Sequence, residues 1–283
     1  AERYILKPES ATDPEVSYLA VQSTTGKWIS VLANYSLHYV GDWDNGTITA
    51  DYFGVFAEAI RKRLHAGNDF TGIMSNGTSG DVNISDFKGD GNYPTGKFEK
   101  SAFIGNDIAE KVAQSLRDIQ WEASPSLEVQ YEELPLAVRK ASAAELEAAK
   151  AIIANSNYEN LQIDDEGLRS IYAREQVLLH ELPDTLPFPV QAVRIGDGVI
   201  GALGGEIFAE TGLWLKANVA TEKYFTIGLA NGNCGYLPPA HEFKVGGYET
   251  WRSRTSKLEE NAEEKVRIKQ LELIKRLIGN SAK

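Results

Sequence analysis

Val199-Ile-Gly-Ala-Leu203-Gly-Gly-Glu206 is an apolar run that stops on two glycines and then presents a carboxylate. A second run, Tyr224-Phe-Thr-Ile-Gly-Leu229, opens into Ala230-Asn-Gly-Asn-Cys-Gly235 and presents Tyr236; Gly246-Gly-Tyr248-Glu249 follows. Short apolar runs bounded by glycine read as buried strands. In open α/β sheets ligands bind at the carboxyl ends of strands. Two polar groups delivered at such ends, each cleared of bulk by glycine, read as a site. Glu206 is expected on the start of a helix, where a carboxylate is also favoured by the macrodipole.

Working outward, the rest of the chain alternates strands and helices. Val16 to Gln22 and Trp28 to Asn34 read as a hairpin around Thr24-Thr-Gly26, with His38 just beyond. A helix is expected from about Asp51 to His65, a strand from Phe70 to Met74, and a helix from about Lys97 to Ile119. Leu127 to Leu134 is strand-like. Ser142-Ala-Ala-Glu145 is a capping box that opens a helix to about Ala154, and Glu166 to Leu182 reads as another. Residues 141–182 are expected to be a helical excursion packed on the sheet, and 256–278 a C-terminal helix. The fold class that follows is α/β: a layered mixed β-sheet with flanking helices, part of a larger α/β domain.

Composition bounds the function. The 283 residues carry a net charge of −11 and a pI near 5.0, which argues against a nucleic-acid partner. No apolar stretch approaches the roughly 20 residues of a transmembrane segment. The single cysteine, Cys234, excludes an intrachain disulfide and a zinc site built from several cysteines.

Singly, the polar candidates have ordinary explanations. His38 at the end of an apolar run is more often a core or turn histidine. Asp81, in Gly77-Thr-Ser-Gly80-Asp81-Val-Asn83, is more often the cap of a tight turn, although such a loop can also present N–H groups to an oxyanion. A first-turn role explains Glu206, and burial with a bonded hydroxyl explains Tyr236 and Tyr248. His241 lies in a loop between the tyrosines, where it is a candidate substrate contact. The Gly-x-Ser-x-Gly elbow and the His-Glu-x-x-His helix are both absent from the sequence.

The combination is more specific. Asn34-Tyr-Ser-Leu-His38, Ile48-Thr-Ala-Asp51-Tyr-Phe-Gly54, Asn76-Gly-Thr-Ser-Gly-Asp81-Val-Asn83, Gly204-Gly-Glu206, Gly228-Leu-Ala-Asn-Gly-Asn-Cys-Gly-Tyr236 and Gly246-Gly-Tyr248-Glu249 occur in this order. From about Asp13 to Glu249 the chain resembles the catalytic domain of the neutral/alkaline, non-lysosomal ceramidases, and most of all their shorter bacterial relatives. The resemblance implies one zinc ion, with His38, Glu206 and Tyr236 matching three of the family's four ligands. Tyr248, twelve positions after Tyr236, matches the tyrosine at the reacting centre. Asp81 and Asn83 fall in the matching catalytic segment. Asn83 stands where the family has a serine, which removes a covalent serine mechanism at this place. The fourth ligand, a histidine in a His-Thr-His-Ser-Gly-type motif, has no match in this chain. Arg3 matches a substrate-contacting arginine, and Trp43, Tyr52, Phe53 and Trp251 are candidates to line a lipid.

The function implied is a zinc-dependent amide hydrolase that cleaves an N-acyl sphingolipid or related amide with metal-activated water. Residues 1–283 would be the C-terminal portion of a ceramidase-like catalytic domain, associated with the missing N-terminal part or with itself, in an extracytoplasmic (secreted or periplasmic) setting. Two other readings remain: a non-catalytic remnant or interaction module of the same fold, and a zinc hydrolase of small polar amides or esters.

Overall fold

The computed structural model describes residues 10–87, 89 and 91–279; Arg3 lies outside them. The expected hairpin forms as strands β1 (Val16–Gln22) and β2 (Trp28–Tyr35), antiparallel around a turn whose Gly26 has φ +81°. Helix α1 (Asp51–Arg63) carries the chain over to β3 (Thr71–Asn76), which pairs parallel with β2. Helix α2 (Glu99–Ser115) packs beside α1. Val31, Ala33, Tyr52, Phe56, Ile60, Ile108 and Val112 bury the space between the sheet and these two helices.

A second sheet starts with the long β4 (Leu127–Ala137). The next two helices are α3 (Ala143–Ala154), opened by the expected Ser142/Glu145 capping box, and α4 (Asp165–His180), capped by Asp164. Strands β5 (Thr185–Ile195) and β6 (Gly198–Leu203) return antiparallel on β4. Two residues, β7 (Glu206–Ile207), precede α5 (Ala209–Asn218); β8 (Tyr224–Ile227) then joins β6 in parallel. The two-residue β9 (Tyr236–Leu237), the short α6 (Glu242–Val245) and α7 (Ala262–Gly279) complete the fold. Phe188, Val190, Val199 and Leu203 pack under Val266, Leu273, Ile274 and Leu277 of α7.

The architecture is mixed α/β, as the alternation implied, but three expectations change. Instead of one layered sheet there are two, of three and four strands, plus the β7–β9 pair. The Gly228 N–H joins the two sheets by donating to the Asn76 carbonyl (2.9 Å). The helical excursion does not lie on the sheet: α3 and α4 pack on each other, and α4 is pinned to the 252–254 segment. There Glu175 pairs with Arg254, and Gln176 bonds the Arg252 carbonyl. Helix α7 starts at 262 rather than 256. Ser256 and Leu258 are instead taken up by bridges to Gly235 and Val138, which hold this stretch extended.

Among the described residues, each sheet has one face covered by helices and one left uncovered. Alternation puts Leu127, Val129 and Tyr131 of β4 on the face opposite α7, where they are 69%, 49% and 48% exposed. On the first sheet Val21 and Ile73 are likewise exposed, on the face opposite α1 and α2. Among the described residues no helix is long and apolar enough to cross a membrane.

Candidate active site

The ends of both sheets converge on one cluster. After β2 the chain turns through Ser36, whose hydroxyl accepts the Thr78 N–H (3.1 Å), and reaches His38. After β3 the Asn76–Asp81 loop runs back against β7, where the Gly80 N–H donates to the Ile207 carbonyl (2.8 Å). A Cβ at Gly80 would stand 2.7 Å from the Glu206 carbonyl oxygen, so glycine is what lets this loop touch the Glu206 strand. The loop therefore sits between the strand end that carries His38 and the strand that carries Glu206.

Glu206 and Tyr236 are register partners in the parallel β7–β9 pair. Main-chain bonds fix both: Glu206 N–H to the Gly235 carbonyl (2.9 Å) and Tyr236 N–H to the Thr255 carbonyl (2.7 Å). Gly235 has φ +85°, and a Cβ there would lie 2.3 Å from the Thr255 carbonyl oxygen. Glu206 is thus in a strand rather than a helix, and α5 begins three residues later. The first-turn explanation for its charge falls away.

A chain of interacting polar groups links the side chains. The Tyr236 hydroxyl interacts with the Glu206 carboxyl and the Tyr248 hydroxyl, and Tyr248 interacts in turn with Glu249. The two rings meet edge to face with centroids 5.6 Å apart. Burial pushes the Glu206 carboxyl above its ordinary range, opposed by the Tyr236 bond and the nearby His38. Burial also raises both tyrosine hydroxyls; Tyr248 and Glu206 add to the effect at Tyr236, and Glu249 and Glu206 add to it at Tyr248. A cation bound among these groups would reverse each shift, because it favours the charged form of every ligand. One imidazole, one carboxylate and one phenol oxygen form the nitrogen and oxygen donor set that suits zinc.

In front of this chain lies a cavity of about 100 Å³ lined by His38, Asp81, Asn83, Tyr248 and Glu249. Asn83 and Ile84 also line a larger neighbouring cavity, of about 530 Å³, whose walls include Tyr35, Leu37, Phe103, Ile104 and Ile108.

The remaining sequence candidates divide. Asp81 lines the cavity, but both of its oxygens are engaged: Oδ1 accepts the Ala209 N–H at the start of α5, and Oδ2 accepts the Ser10 hydroxyl, each at 2.7 Å. Asn83 Oδ1 accepts the Ser85 N–H (2.8 Å). Trp43 stacks on Phe98 and does not line the cavity. Tyr52 is fully buried and Phe53 stacks on it in the core, so neither lines a lipid channel. Trp251 borders a separate open groove with Tyr172, Gln176 and Arg252. His241 lies apart from the cavity; its Nε2 is 3.3 Å from Glu210 and 3.2 Å from Glu242, and the ligand atoms of these three residues lie within 4.8 Å of one another. Glu249, which caps the chain of hydroxyls, carried no signal beyond its place next to Tyr248.

No family model matches the sequence, and no curated protein matches it. Comparison of the fold finds similar solved structures, among them two ceramidases. One, a ceramidase complexed with C2, superposes with a TM-score of 0.68 at 16% identity, covering 97% of this chain and 50% of that one. The other, neutral ceramidase from Pseudomonas aeruginosa, gives a TM-score of 0.65 at 15% identity, over 94% and 47%. The chain spans about half the length of these structures. Similarity at this identity establishes the fold, and this chain has a ceramidase-like fold.

Proposed function

We propose that this chain contributes most of a zinc site for hydrolysis of an N-acyl amide, with His38, Glu206 and Tyr236 as metal ligands. The observation that carries this reading is the meeting of Glu206, Tyr236 and Tyr248, by strand register and ring contact, with His38 in the wall of the cavity beside them. These residues come from distant parts of the sequence, and packing alone gives no reason for their convergence.

Bound there, zinc supplies a Lewis acid and an activated water. The protein does the rest. Tyr248, half exposed at the cavity, is placed to donate its hydroxyl to the oxygen of the scissile carbonyl as negative charge develops there. Glu249, which interacts with the Tyr248 hydroxyl and lines the same cavity, is a carboxylate able to move a proton there. Asn83 offers a side-chain amide between the small cavity and the larger one, at the junction where an amide bond would lie. The larger cavity sets Leu37, Phe103, Ile104 and Ile108 beside Ser85, Asp86, Lys100 and Asp107, so its wall offers an apolar strip for an acyl chain within a mixed, charged rim.

Three ligands leave a position for a fourth. We place it on another polypeptide segment, for which the uncovered apolar faces of the two sheets provide a surface to bury.

The test is metal content together with hydrolysis of N-acyl substrates. Stoichiometric zinc, lost in His38→Ala and Glu206→Ala but retained in His241→Ala, supports the ligand set. Zinc that instead follows His241 and Glu210 relocates the metal. Turnover that survives both Glu206→Ala and Tyr248→Phe ends the mechanism.

A further inference from the structure

We propose that Asp51 and Tyr52, the first two residues of α1, form a positioning pair that fixes His38; the inference builds on His38 as a metal ligand. His38 lies in the irregular stretch between Tyr35 and Asp51, beyond the last paired residue of β2. No sheet ladder holds it. Its surroundings are gripped from α1 instead, on both sides.

On the N-terminal side, the Tyr52 hydroxyl donates to the Leu37 carbonyl (2.9 Å) from a ring that is completely buried. On the C-terminal side, Asp51 Oδ2 accepts the Val40 N–H (2.7 Å) and the Gly41 N–H (3.2 Å), and Oδ1 accepts the Tyr52 N–H. The peptide units before and after His38 and Tyr39 are therefore tied to one rigid point, the start of a thirteen-residue helix. The Tyr39 ring packs on the imidazole (centroids 4.3 Å apart), so the side chain follows the backbone it stands on.

The backbone of Asp51 is consistent with this role. Its φ is +52°, in the left-handed region that a residue other than glycine occupies at a cost. An aspartate at a helix start ordinarily serves as the N-cap and bonds its own first turn. Here the preceding residue, Ala50, occupies that position, and the carboxylate reaches across to the His38 loop. The strain is retained where it brings the carboxylate to the N–H groups of Val40 and Gly41.

The experiment compares the full chain with Asp51→Gly, Asp51→Asn and Tyr52→Phe. Glycine accepts the positive φ and removes only the carboxylate, so it separates positioning from folding. The readouts are thermal unfolding, amide hydrogen exchange at Val40 and Gly41, and zinc affinity by titration. The expectation is that Asp51→Gly stays folded, that both amides lose protection at least ~10-fold, and that zinc affinity falls about 10–100-fold, the range for groups that orient a metal ligand. Asp51→Asn, which keeps one acceptor oxygen, should recover part of both losses. The proposal is overturned if Asp51→Gly retains zinc affinity and amide protection, or if affinity falls while both amides stay protected. His38→Ala is the control: if it leaves zinc binding unchanged, the ligand assignment fails, while exchange at Val40 and Gly41 still decides whether the clamp exists.

Discussion

The two arms of the candidate site are held by different means. Glu206 and Tyr236 lie in a two-residue parallel pair, fixed by main-chain bonds to Gly235 and Thr255 and by the close approach of Gly80. His38 has no such pairing and is held by two side chains of α1. The first arm depends on the absence of side chains, the second on their presence. Substitutions should therefore act in opposite ways: adding atoms damages the Glu206 arm, and removing them damages the His38 arm.

The largest effect is expected at Gly235. Valine there faces both a positive φ and a carbonyl oxygen at 2.3 Å, and should destabilise by roughly 3 kcal/mol or more. Urea unfolding measures it; a change within about 0.5 kcal/mol, the scale of an ordinary surface substitution, would show that this approach does not hold the arm. Next comes Tyr52→Phe, which orphans the Leu37 carbonyl and should cost about 1 kcal/mol. If the same unfolding experiment finds no cost, the asymmetry between the arms is weaker than the geometry implies.

A smaller effect concerns the packing behind the Glu206 arm. Glu263 on α7 is 2% exposed and accepts the Thr211 hydroxyl of α5 (2.7 Å). Burial raises its pKa, against the Thr211 bond and nearby Arg267. With the folded value above the unfolded one, its stabilisation is complete below the ordinary glutamate range and is lost as pH rises through the folded value. Glu263→Gln, which never ionises, should therefore gain on the parent as pH rises from 4 to 8. The expected gain in Tm is ~2 °C; a constant difference across that range would contradict it. The smallest effect on stability is expected on the uncovered face. Leu127→Lys combined with Val129→Lys should leave Tm nearly unchanged while lowering binding of a hydrophobic dye. A large drop in Tm would show that the face is part of the core.

Much of the fold was legible because its cues are local. The Thr24-Thr-Gly26 turn and the Ser142/Glu145 box form as read, and glycine marked the strand end at Leu203, whereas the run expected to reach Leu229 leaves the sheet at Ile227. Strand β9 escaped notice because two residues carry no periodicity, and the stretch from Ser256 to Leu258 was read as helix because its bridges to Gly235 and Val138 are long-range. Asp51 stood in a motif without a role, and Tyr52 was expected to line a lipid rather than to hold the His38 loop. Their partners at positions 37 to 41 lie across a loop whose path cannot be read from spacing.

By itself the sequence determined that the chain is acidic and α/β, with His38, Glu206 and Tyr236 in strand-end contexts and Tyr248 after a glycine pair. Composition, periodicity and glycine placement are properties of neighbouring residues, so one chain displays them directly. Tertiary structure decided that two sheets replace one, and that each has an uncovered face. It also decided that Tyr236 bridges Glu206 and Tyr248, while Tyr52 is core rather than lining. Those outcomes depend on which distant segments close on each other, and a carboxylate or a hydroxyl acquires its role only from the groups that arrive beside it.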